Sequence, residues 1–465
     1  MPMIALAPVL DAIDKNLDRS LERLFELIRL KSVSTDPAFD PEVRKAAEWL
    51  AADLRSIGFD ASVRDTIGHP MVVGHHDGAA PDAPHVLFYG HYDVQPVDPL
   101  NLWTDDPFDP KIKTVDGRKV ITGRGSSDDK GQLMTFVEAC RNYKTVHGAL
   151  PCRVTILFEG EEESGSKSLK PFLEANADEL RADFAMVCDT GMWDDRETPV
   201  ICVGLRGLVG ELITIRGSDR DLHSGIYGGA AANANHIMAR VLADLHDETG
   251  RVTIPGFYEG VEETPSQILE SWNRLGQTAD DFLGPIGLSI PAGEKGRTVQ
   301  ELTWARPTAE VNGMWGGYTG DGFKTVIPAE AHAKVSFRLV HDQDPAAIRA
   351  AFRKFVEERI PADCSVEFQP HGGSPALQIP YDAPIILKAK AALSDEWPKP
   401  AVMVATGGSI PIVGDFKHLL GMDTLLTGFG LDDDRIHSPN EKYEFISFHK
   451  GQRSWARILD AIAAK

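Results

Sequence analysis

The chain has little cysteine, no long apolar run and no excess of positive charge, and each shortage excludes a class of protein. Its 465 residues include only five cysteines, an odd number without any CxxC pair. This set predicts free thiols in a reducing compartment and argues against a disulfide framework. No stretch approaches the roughly 20 consecutive apolar residues of a membrane-spanning helix. We therefore expect no membrane span.

The charge balance excludes a further class of function, the binding of nucleic acid. The formal net charge is -21, because 69 acidic residues outnumber 48 basic ones. Binding to a phosphate backbone requires clustered Lys and Arg, so nucleic acid is not an expected partner. The first residues also lack the basic region and the apolar region of a secretory signal. Together these features predict a cytoplasmic protein.

Length and strand patterns predict two domains, since 465 residues exceed one ordinary core. Residues 210–216 and 331–339 alternate polar and apolar side chains, which predicts strands of a sheet with one wet face. Helices are predicted over 229–246 and from Asp344 onward, so this part has α+β character. The predicted limits are 1–205 and 381–465 for a first domain and 206–380 for an inserted second domain.

Acidic residues follow the ends of several predicted strands. The apolar run 154–158 ends in the acidic segment 159–165. For a single run of glutamates a solvated turn would be the favoured interpretation. Two further apolar runs end in the same way, one at His91 and Asp93 and the other at Asp189. Open α/β sheets place their sites at such strand ends, so we predict a polynuclear metal site there.

The residue types of these strand ends suit metal chemistry. Imidazole is a good zinc ligand, and a carboxylate two residues away can hold its second nitrogen in the required tautomer. In the glycine-rich segment 123–131, Asp128 is a candidate carboxylate bridge between two ions. The alternative is that Ser127 or Asp128 caps the following helix. A phosphate cradle is disfavoured, because Asp128 and Asp129 would repel an anion.

The full set of motifs carries a family resemblance. The chain resembles the carnosinase-like cytosolic metallodipeptidases, which belong to the di-zinc hydrolases that include aminoacylase, carboxypeptidase G and succinyl-diaminopimelate desuccinylase. The likeness covers nearly the whole chain and includes the inserted domain. The motifs are, in chain order, 91–93, 123–131, 159–166, Asp189, 221–229, 324–328, 337–340 and 436–442.

The resemblance implies an α/β catalytic domain with a mixed, largely parallel sheet flanked by helices, plus a smaller α+β lid domain that forms a homodimer. It also implies two divalent metal ions, with zinc expected and manganese or cobalt as alternatives. Asp93 would orient His91, and Glu162 would act as the general base. The implied metal ligands are Asp128 as the bridge, His91 and Asp189 on one ion, and Glu163 and His437 on the other.

The resemblance also assigns residues to the substrate. His223 would reach the active site of the partner subunit and stabilise the oxyanion. The residues implied to hold the carboxyl end of the substrate are Arg338, His371 and Thr325, with Gly408 and Ser409 lining the pocket.

Three functions stay open at this point. The leading hypothesis is hydrolysis of dipeptides or short peptides with a free carboxyl end. The runner-up is a deacylase of N-acyl or N-succinyl amino acids, because Thr406 stands where the related dipeptidases commonly carry a Glu for the free α-amino group. A non-catalytic protein that binds a small solute or a metal is the remote alternative. His75, His76 and the Gly-flanked His371 also have purely structural interpretations.

Overall fold

The structure is a computed structural model that describes residues 5–193, 196–407 and 411–464. The helices are α1 (Leu6–Arg29), α2 (Asp40–Ser56), α3 (Lys130–His147), α4 (Leu169–Ala175), α5 (Ala177–Leu180), α6 (Ser224–Tyr227), α7 (Ala234–Ala243), α8 (Ser266–Asn273), α9 (Ala279–Leu283), α10 (Pro345–Glu357), α11 (Pro384–Glu396), α12 (Pro411–Leu420) and α13 (Phe445–Ala463).

The strands follow the same chain order. They are β1 (Asp60–Arg64), β2 (Met71–His76), β3 (His85–His91), β4 (Lys111–Val115), β5 (Arg118–Thr122), β6 (Arg153–Glu159), β7 (Phe184–Val187), β8 (Val200–Leu205), β9 (Gly207–Arg216), β10 (Leu222–His223), β11 (Thr308–Gly316), β12 (Val326–Ile327), β13 (Glu330–Leu339), β14 (Ser365–Ser374), β15 (Leu377–Gln378), β16 (Val402–Thr406), β17 (Thr424–Gly428) and β18 (Lys442–Glu444).

A nine-stranded sheet contains the strands that end in acidic residues. Its order is β1-β2-β6-β3-β7-β17-β8-β15, and β16 also pairs with β8. The central strands β6, β3, β7 and β17 are parallel, whereas β1, β2 and β8 pair antiparallel. The central strands are almost entirely buried, as expected for short continuous apolar runs. The predicted mixed sheet with parallel strands flanked by helices is confirmed, and its parallel pairs lie at the centre.

The helices around this sheet bury apolar stripes that the sequence predicts. Helix α1 buries Leu10, Ile13, Leu21, Leu24 and further residues of one face, which confirms the predicted helix over 10–30. Helix α13 contributes Trp455, which is fully buried and meets Phe88 and Phe136 edge-on, with ring centroids 5.5 Å away in each case.

A second sheet, of four antiparallel strands in the order β11-β13-β9-β14, lies in the second unit. Its buried face contains Val209, Ile213, Phe337 and other apolar residues that pack with side chains of α7 and α10. The alternation predicted for 210–216 and 331–339 is therefore confirmed. Helix α10 is capped by Asp344, whose side chain accepts a hydrogen bond from the Ala346 N–H, as predicted.

The helix predicted over 229–246 is wrong in extent. Helix α7 runs only from Ala234 to Ala243, and the side chain of Asn233 caps it by accepting from the Asn235 N–H. Gly229 has a φ of 84°, a left-handed conformation that an α-helix cannot include. The short helix α6 occupies part of the preceding segment instead.

Contacts divide the chain into two compact units. One contains 1–203, 379–403 and 415–465, and the other contains 204–378 and 404–414. All five cysteines are free, and four of them are buried. No helix in the described ranges combines the length and the apolar character that a membrane crossing requires.

Candidate metal centre

Parallel strands bring the predicted ligands to one edge of the large sheet. His91 is the last residue of β3, and Asp189 follows β7 by two residues. Glu162 and Glu163 lie in a short 3-10 turn just after β6. Because β6, β3 and β7 are neighbouring parallel strands, their carboxyl ends meet at the same edge.

Asp128 lies at the centre of two groups of potential ligands. Its Oδ1 atom is 2.9 Å from His91 Nε2, and its Oδ2 atom is 3.1 Å from His437 Nε2. Each oxygen of one carboxylate therefore faces a different histidine. Ligand atoms within each group lie within 4.8 Å of one another; the groups are His91, Asp128 and Asp189, and Asp128, Glu163 and His437.

The second group has a supporting residue that sequence reasoning missed. His437 Nε2 is 3.1 Å from Glu163 Oε2, and the same Oε2 accepts a hydrogen bond of 2.7 Å from the Gln95 side chain. Gln95 also donates to the main-chain oxygen of Glu163, at 3.2 Å. Gln95 follows Asp93 by two residues, and no local pattern distinguishes it from any other loop glutamine.

Asp93 does more than the role predicted for it. Its Oδ1 atom is 3.4 Å from His91 Nδ1, which also lies 3.2 Å from the Asp93 carbonyl oxygen. The carboxylate also accepts the main-chain N–H groups of Glu162 and Glu163, at 3.3 and 3.0 Å. Ser34 donates to it at 2.6 Å. Asp93 therefore fixes both the imidazole and the acidic turn after β6.

Glu441 holds the segment that carries Asp128. Its buried carboxylate accepts the N–H groups of Gly125, Ser127 and Asp128, at 3.0 to 3.1 Å, and pairs with Arg124 at 2.7 Å. Sequence reasoning did not identify Glu441 as a functional residue. The sequence feature that could have identified Glu441 is its position four residues after His437, within the motif 436–442.

The alternative in which Ser127 or Asp128 caps helix α3 is wrong. The N-cap residue is Asp129, and no side chain accepts a capping hydrogen bond there. Ser127 Oγ donates instead to the buried Asp434, at 2.9 Å. Asp128 uses its carboxylate for the two histidines, so the polar residues of this segment face the site.

The loop around His437 adopts an unusual backbone. Arg435, His437 and Asn440 have φ values of 58°, 61° and 64°, in the left-handed region that non-glycine residues seldom adopt. Asn440 is held by its side chain, which accepts from the Thr104 N–H at 2.7 Å and donates to the Leu102 carbonyl at 2.9 Å. Such conformations persist where surrounding contacts enforce them.

The site concentrates negative charge. Burial, and then the charge of Asp128, raise the pKa of Asp189 well above its usual range. Burial opposes ionisation of Asp128 as well, but hydrogen bonds from His437 and His91 outweigh it and lower the pKa of Asp128. Hydrogen bonds to Asp128 and Glu163 raise the pKa of His437 to about 10. Two histidines thus face a larger set of acids.

The donor set fits divalent metal ions. Each group combines one imidazole nitrogen with carboxylate oxygens, ligands that zinc, manganese and cobalt accept. A cation would also offset the repulsion among the buried acids, and its binding would displace the protons that the raised pKa of Asp189 and His437 favour.

Glu162 lies beside the two groups without belonging to either. Burial raises the pKa of its carboxyl group, which suits a proton acceptor that works near neutral pH. The main-chain N–H of Glu162 donates a hydrogen bond to the Asp93 carboxylate. Glu162 and Glu163 therefore differ in environment although they are adjacent in sequence.

The predicted substrate residues lie in the second unit. Strand β10 pairs with β12, so His223 faces Val326, and the Ser224 N–H donates to Thr325 O at 3.1 Å. Arg338 on β13 pairs with Leu208 of β9, and His371 on β14 pairs with Gly210 of the same strand. Gly408 and Ser409 lie outside the described residues.

His75 and His76 lie apart from both groups. His75 contacts Thr155 and Glu179, at 3.1 and 3.0 Å, and His76 accepts a hydrogen bond from the Gly78 N–H. These contacts support the structural interpretation of the two residues.

The chain is similar to known dipeptidases over nearly its full length. The sequence model of the peptidase family M20/M25/M40 matches residues 87–461. The Cys-Gly metallodipeptidase DUG1 of Candida albicans is 30% identical over 476 residues, covering 98% of this chain and 97% of the relative. The Beta-Ala-His dipeptidase of Homo sapiens is 26% identical over 476 residues, covering 98% and 93%.

A solved structure shows the same fold. The di-peptidase Dug1p from Saccharomyces cerevisiae superposes with a TM-score of 0.73 at 26% identity, and the match covers 99% of each chain.

Removal of the central carboxylate should affect both ions. We expect Asp128→Ala to lose most of both metal equivalents, and His437→Ala to lose mainly one, because Asp128 belongs to both groups and His437 to one. Metal content per chain, measured by plasma mass spectrometry after dialysis, tests this. His75→Ala is the matched control and should keep both ions. Equal metal content in the Asp128 and His437 variants would contradict a bridging role.

Glu441→Gln should weaken metal binding without removing a ligand. The glutamine amide nitrogen would face main-chain N–H groups that now donate to a carboxylate, so the Asp128 segment must shift. We expect about 10–100-fold weaker binding in chelator competition. Asp433→Asn, in the same loop but paired with Arg118 and Lys442, should bind metal as the wild type does. Unchanged affinity in Glu441→Gln would disprove the positioning role.

Proposed function

Because the chain belongs to the peptidase family M20/M25/M40, we propose that it is a metallodipeptidase that hydrolyses the amide bond of dipeptides or short peptides with a free carboxyl end. The resemblance to carnosinase-like metallodipeptidases is confirmed by relatives that are themselves dipeptidases by name. Membership in this family also sets aside the non-catalytic alternative.

One observation carries the proposal. Asp128 presents one carboxylate oxygen to His91 and the other to His437, and each histidine has a further carboxylate partner. This is the arrangement that two neighbouring divalent ions require. We propose that His91, Asp128 and Asp189 hold one ion, and that Asp128, Glu163 and His437 hold the other. Zinc is the proposed metal, with manganese or cobalt as alternatives.

The ions would supply Lewis acidity that polarises the scissile carbonyl and makes water a better nucleophile near neutral pH. Glu162 provides the proton transfer in this proposal. Its carboxylate takes a proton from the attacking water and later gives it to the leaving amine. The raised pKa of Glu162 makes its carboxylate a stronger base, which favours the first transfer, from water to Glu162.

His223 is proposed to stabilise the negative charge on the carbonyl oxygen. Its Nδ1 atom accepts a hydrogen bond of 3.0 Å from the Gly225 N–H, so in the neutral ring Nε2 carries the proton. An Nε2–H group is the donor that an oxyanion needs. The side chain is exposed, which leaves Nε2 available.

Substrate binding is proposed for the second unit. Arg338 can bind a carboxylate with two parallel hydrogen bonds, and His371 lies on the same face of the sheet across β9. Thr325, Gly408 and Ser409 complete the proposed set.

The remaining parts of the proposal concern assembly and location. We propose a cytoplasmic homodimer in which His223 acts on the partner's active site. The lid and dimerisation domain would be 206–380, and the catalytic domain 1–205 with 381–465. A monomer in analytical ultracentrifugation at assay concentration would contradict the dimer.

Glu162→Gln should abolish turnover and keep both ions. The amide preserves shape but cannot accept the proton of the attacking water, so we expect kcat to fall by about 10²–10⁴-fold, the range for a general base. Metal content and kcat of the purified variant are the measurements. Loss of one ion from Glu162→Gln, with full occupancy in Glu163→Gln, would show that the two glutamates have exchanged roles.

The substrate class is tested with a matched panel. Release of free amino acids is measured from unblocked dipeptides and from N-acetyl and N-succinyl amino acids, with zinc-loaded and manganese-loaded protein. We expect unblocked dipeptides to be preferred, with Thr406 tolerating the free amino group. A preference for the acylated amino acids would replace the dipeptidase proposal with the deacylase alternative.

A further inference from the structure

Two arginines of the second unit, Arg206 and Arg338, lie close to the start of β9. Arg206 immediately precedes β9, and Arg338 on β13 opposes Leu208, two residues further along β9. Burial, and then the positive charge of Arg338, lower the pKa of Arg206 to about 10. The two guanidinium groups are therefore close enough to repel each other.

Neither arginine is neutralised within the described residues. Arg206 Nε is buried and has no hydrogen-bond partner there, and neither guanidinium forms an ion pair with a carboxylate. The negative charge of Glu310 on β11 raises the pKa of Arg206, but less than burial and Arg338 lower it, and Glu310 forms no ion pair with Arg206. By contrast, the buried Arg124 pairs with Glu441 at 2.7 Å.

The surroundings of Arg206 are shaped to keep its side chain in place. A Cβ atom added at Gly407 would lie 2.6 Å from Arg206 Nη2, so the guanidinium rests directly on the backbone of this residue. The Arg206 N–H also donates to the Thr406 carbonyl, at 3.3 Å. A glycine at 407 thus makes room for a guanidinium that forms no ion pair with a carboxylate among the described residues.

A cavity lies near the two arginines, lined by residues that neighbour them along β9 and β13. A cavity of about 490 Å³ is lined by Leu208, Gly210, Ser336, Lys334 and His371, among others. Leu208 and Ser336 lie two residues along the chain from Arg206 and Arg338, respectively. Lys334, two residues beyond Ser336, adds a third positive charge.

Uncompensated guanidinium groups in a partly buried site favour an anion. Two like charges in close proximity destabilise each other, and a bound carboxylate relieves the repulsion while forming charge-assisted hydrogen bonds. One carboxylate neutralises the charge of one arginine, so two carboxylates would neutralise the charge of the pair. Arg338 already has a proposed partner, the main-chain carboxylate of the substrate, which leaves Arg206 for a second one.

We propose that Arg206 is a specificity-determining residue that binds a second carboxylate of the substrate, so that the enzyme prefers dipeptides ending in Asp or Glu. This inference rests on the proposed dipeptidase function and narrows its substrate class. Arg338 binds the main-chain carboxylate, and Arg206 binds the carboxylate of the C-terminal side chain.

The test uses substrates that differ only in charge. Values of kcat and KM are measured for Ala-Glu against Ala-Gln and for Ala-Asp against Ala-Asn. For the wild type we expect kcat/KM to favour each acid over its amide by about tenfold or more, mainly through KM, as for a charged hydrogen bond. Arg206→Met should lower this ratio about tenfold, and Arg206→Lys should retain part of it. Arg274→Met, at an exposed arginine of the same unit that pairs with Glu270, is the control and should retain the ratio, and Lys334→Met tests the cation that lines the cavity.

Three results would overturn the proposal. The first is a wild-type ratio of one or less. The second is an equal loss on acid and amide substrates in Arg206→Met, which would mean a general structural role or a shared contact with the main-chain carboxylate. The third is loss of the ratio in Lys334→Met and not in Arg206→Met, which would assign the second carboxylate to Lys334.

A binding measurement separates this inference from the dipeptidase proposal. The melting temperature of the metal-loaded protein is followed with glutarate, a dicarboxylate, and with butyrate, a monocarboxylate. Greater stabilisation by glutarate that disappears in Arg206→Met supports the arginine site even if no dipeptide is hydrolysed, in which case only the proposed function fails. Equal effects of the two ligands, or no change in Arg206→Met, would overturn the arginine site.

Discussion

The carboxylate of Glu441 is the interaction on which the candidate site depends most. It accepts N–H groups from a segment that precedes it by 313 to 316 residues, and that segment carries Asp128. His437 lies in the same loop as Glu441 and contacts Asp128 directly. Without this buried anchor, the Asp128 segment would lose the hydrogen bonds that hold its main chain against the loop of His437. The second group of ligands would then be incomplete.

Buried carboxylates that accept main-chain N–H groups occur at two places around the site. Asp93 and Glu441 are buried acids that bind main-chain N–H groups of segments carrying other acids. A carboxylate that receives several N–H groups is held in one orientation, whereas a side chain that bound only other side chains could rotate. The acids that face the centre, Asp128 and Glu163, are thereby oriented by their backbones as well as by His437. Orientation of this kind reduces the reorganisation needed when a cation binds.

Much of this arrangement follows from local sequence patterns, and the rest depends on distant contacts. Apolar runs that end in His91, Asp189 and the acidic turn predict strand ends at one edge, and the structure brings these residues together. The supporting role of Gln95 has no local signature, and that of Glu441 is marked only by its motif with His437, because each role arises from hydrogen bonds to segments far away in sequence. The extent of α7 was mispredicted for a different reason, since a left-handed glycine shortened an otherwise helical pattern.

The order of the ligands along the chain has a consequence for biosynthesis. Four of the five proposed ligands precede the second unit, and His437 follows it. Domains fold as they leave the ribosome, amino-terminal parts first. During translation, an early intermediate therefore presents a cluster of acids that lacks its final histidine and its Glu441 anchor. If the proposed ligands hold two ions, stable capture of both would follow synthesis and docking of the last segment, so metallation would be a late step of maturation.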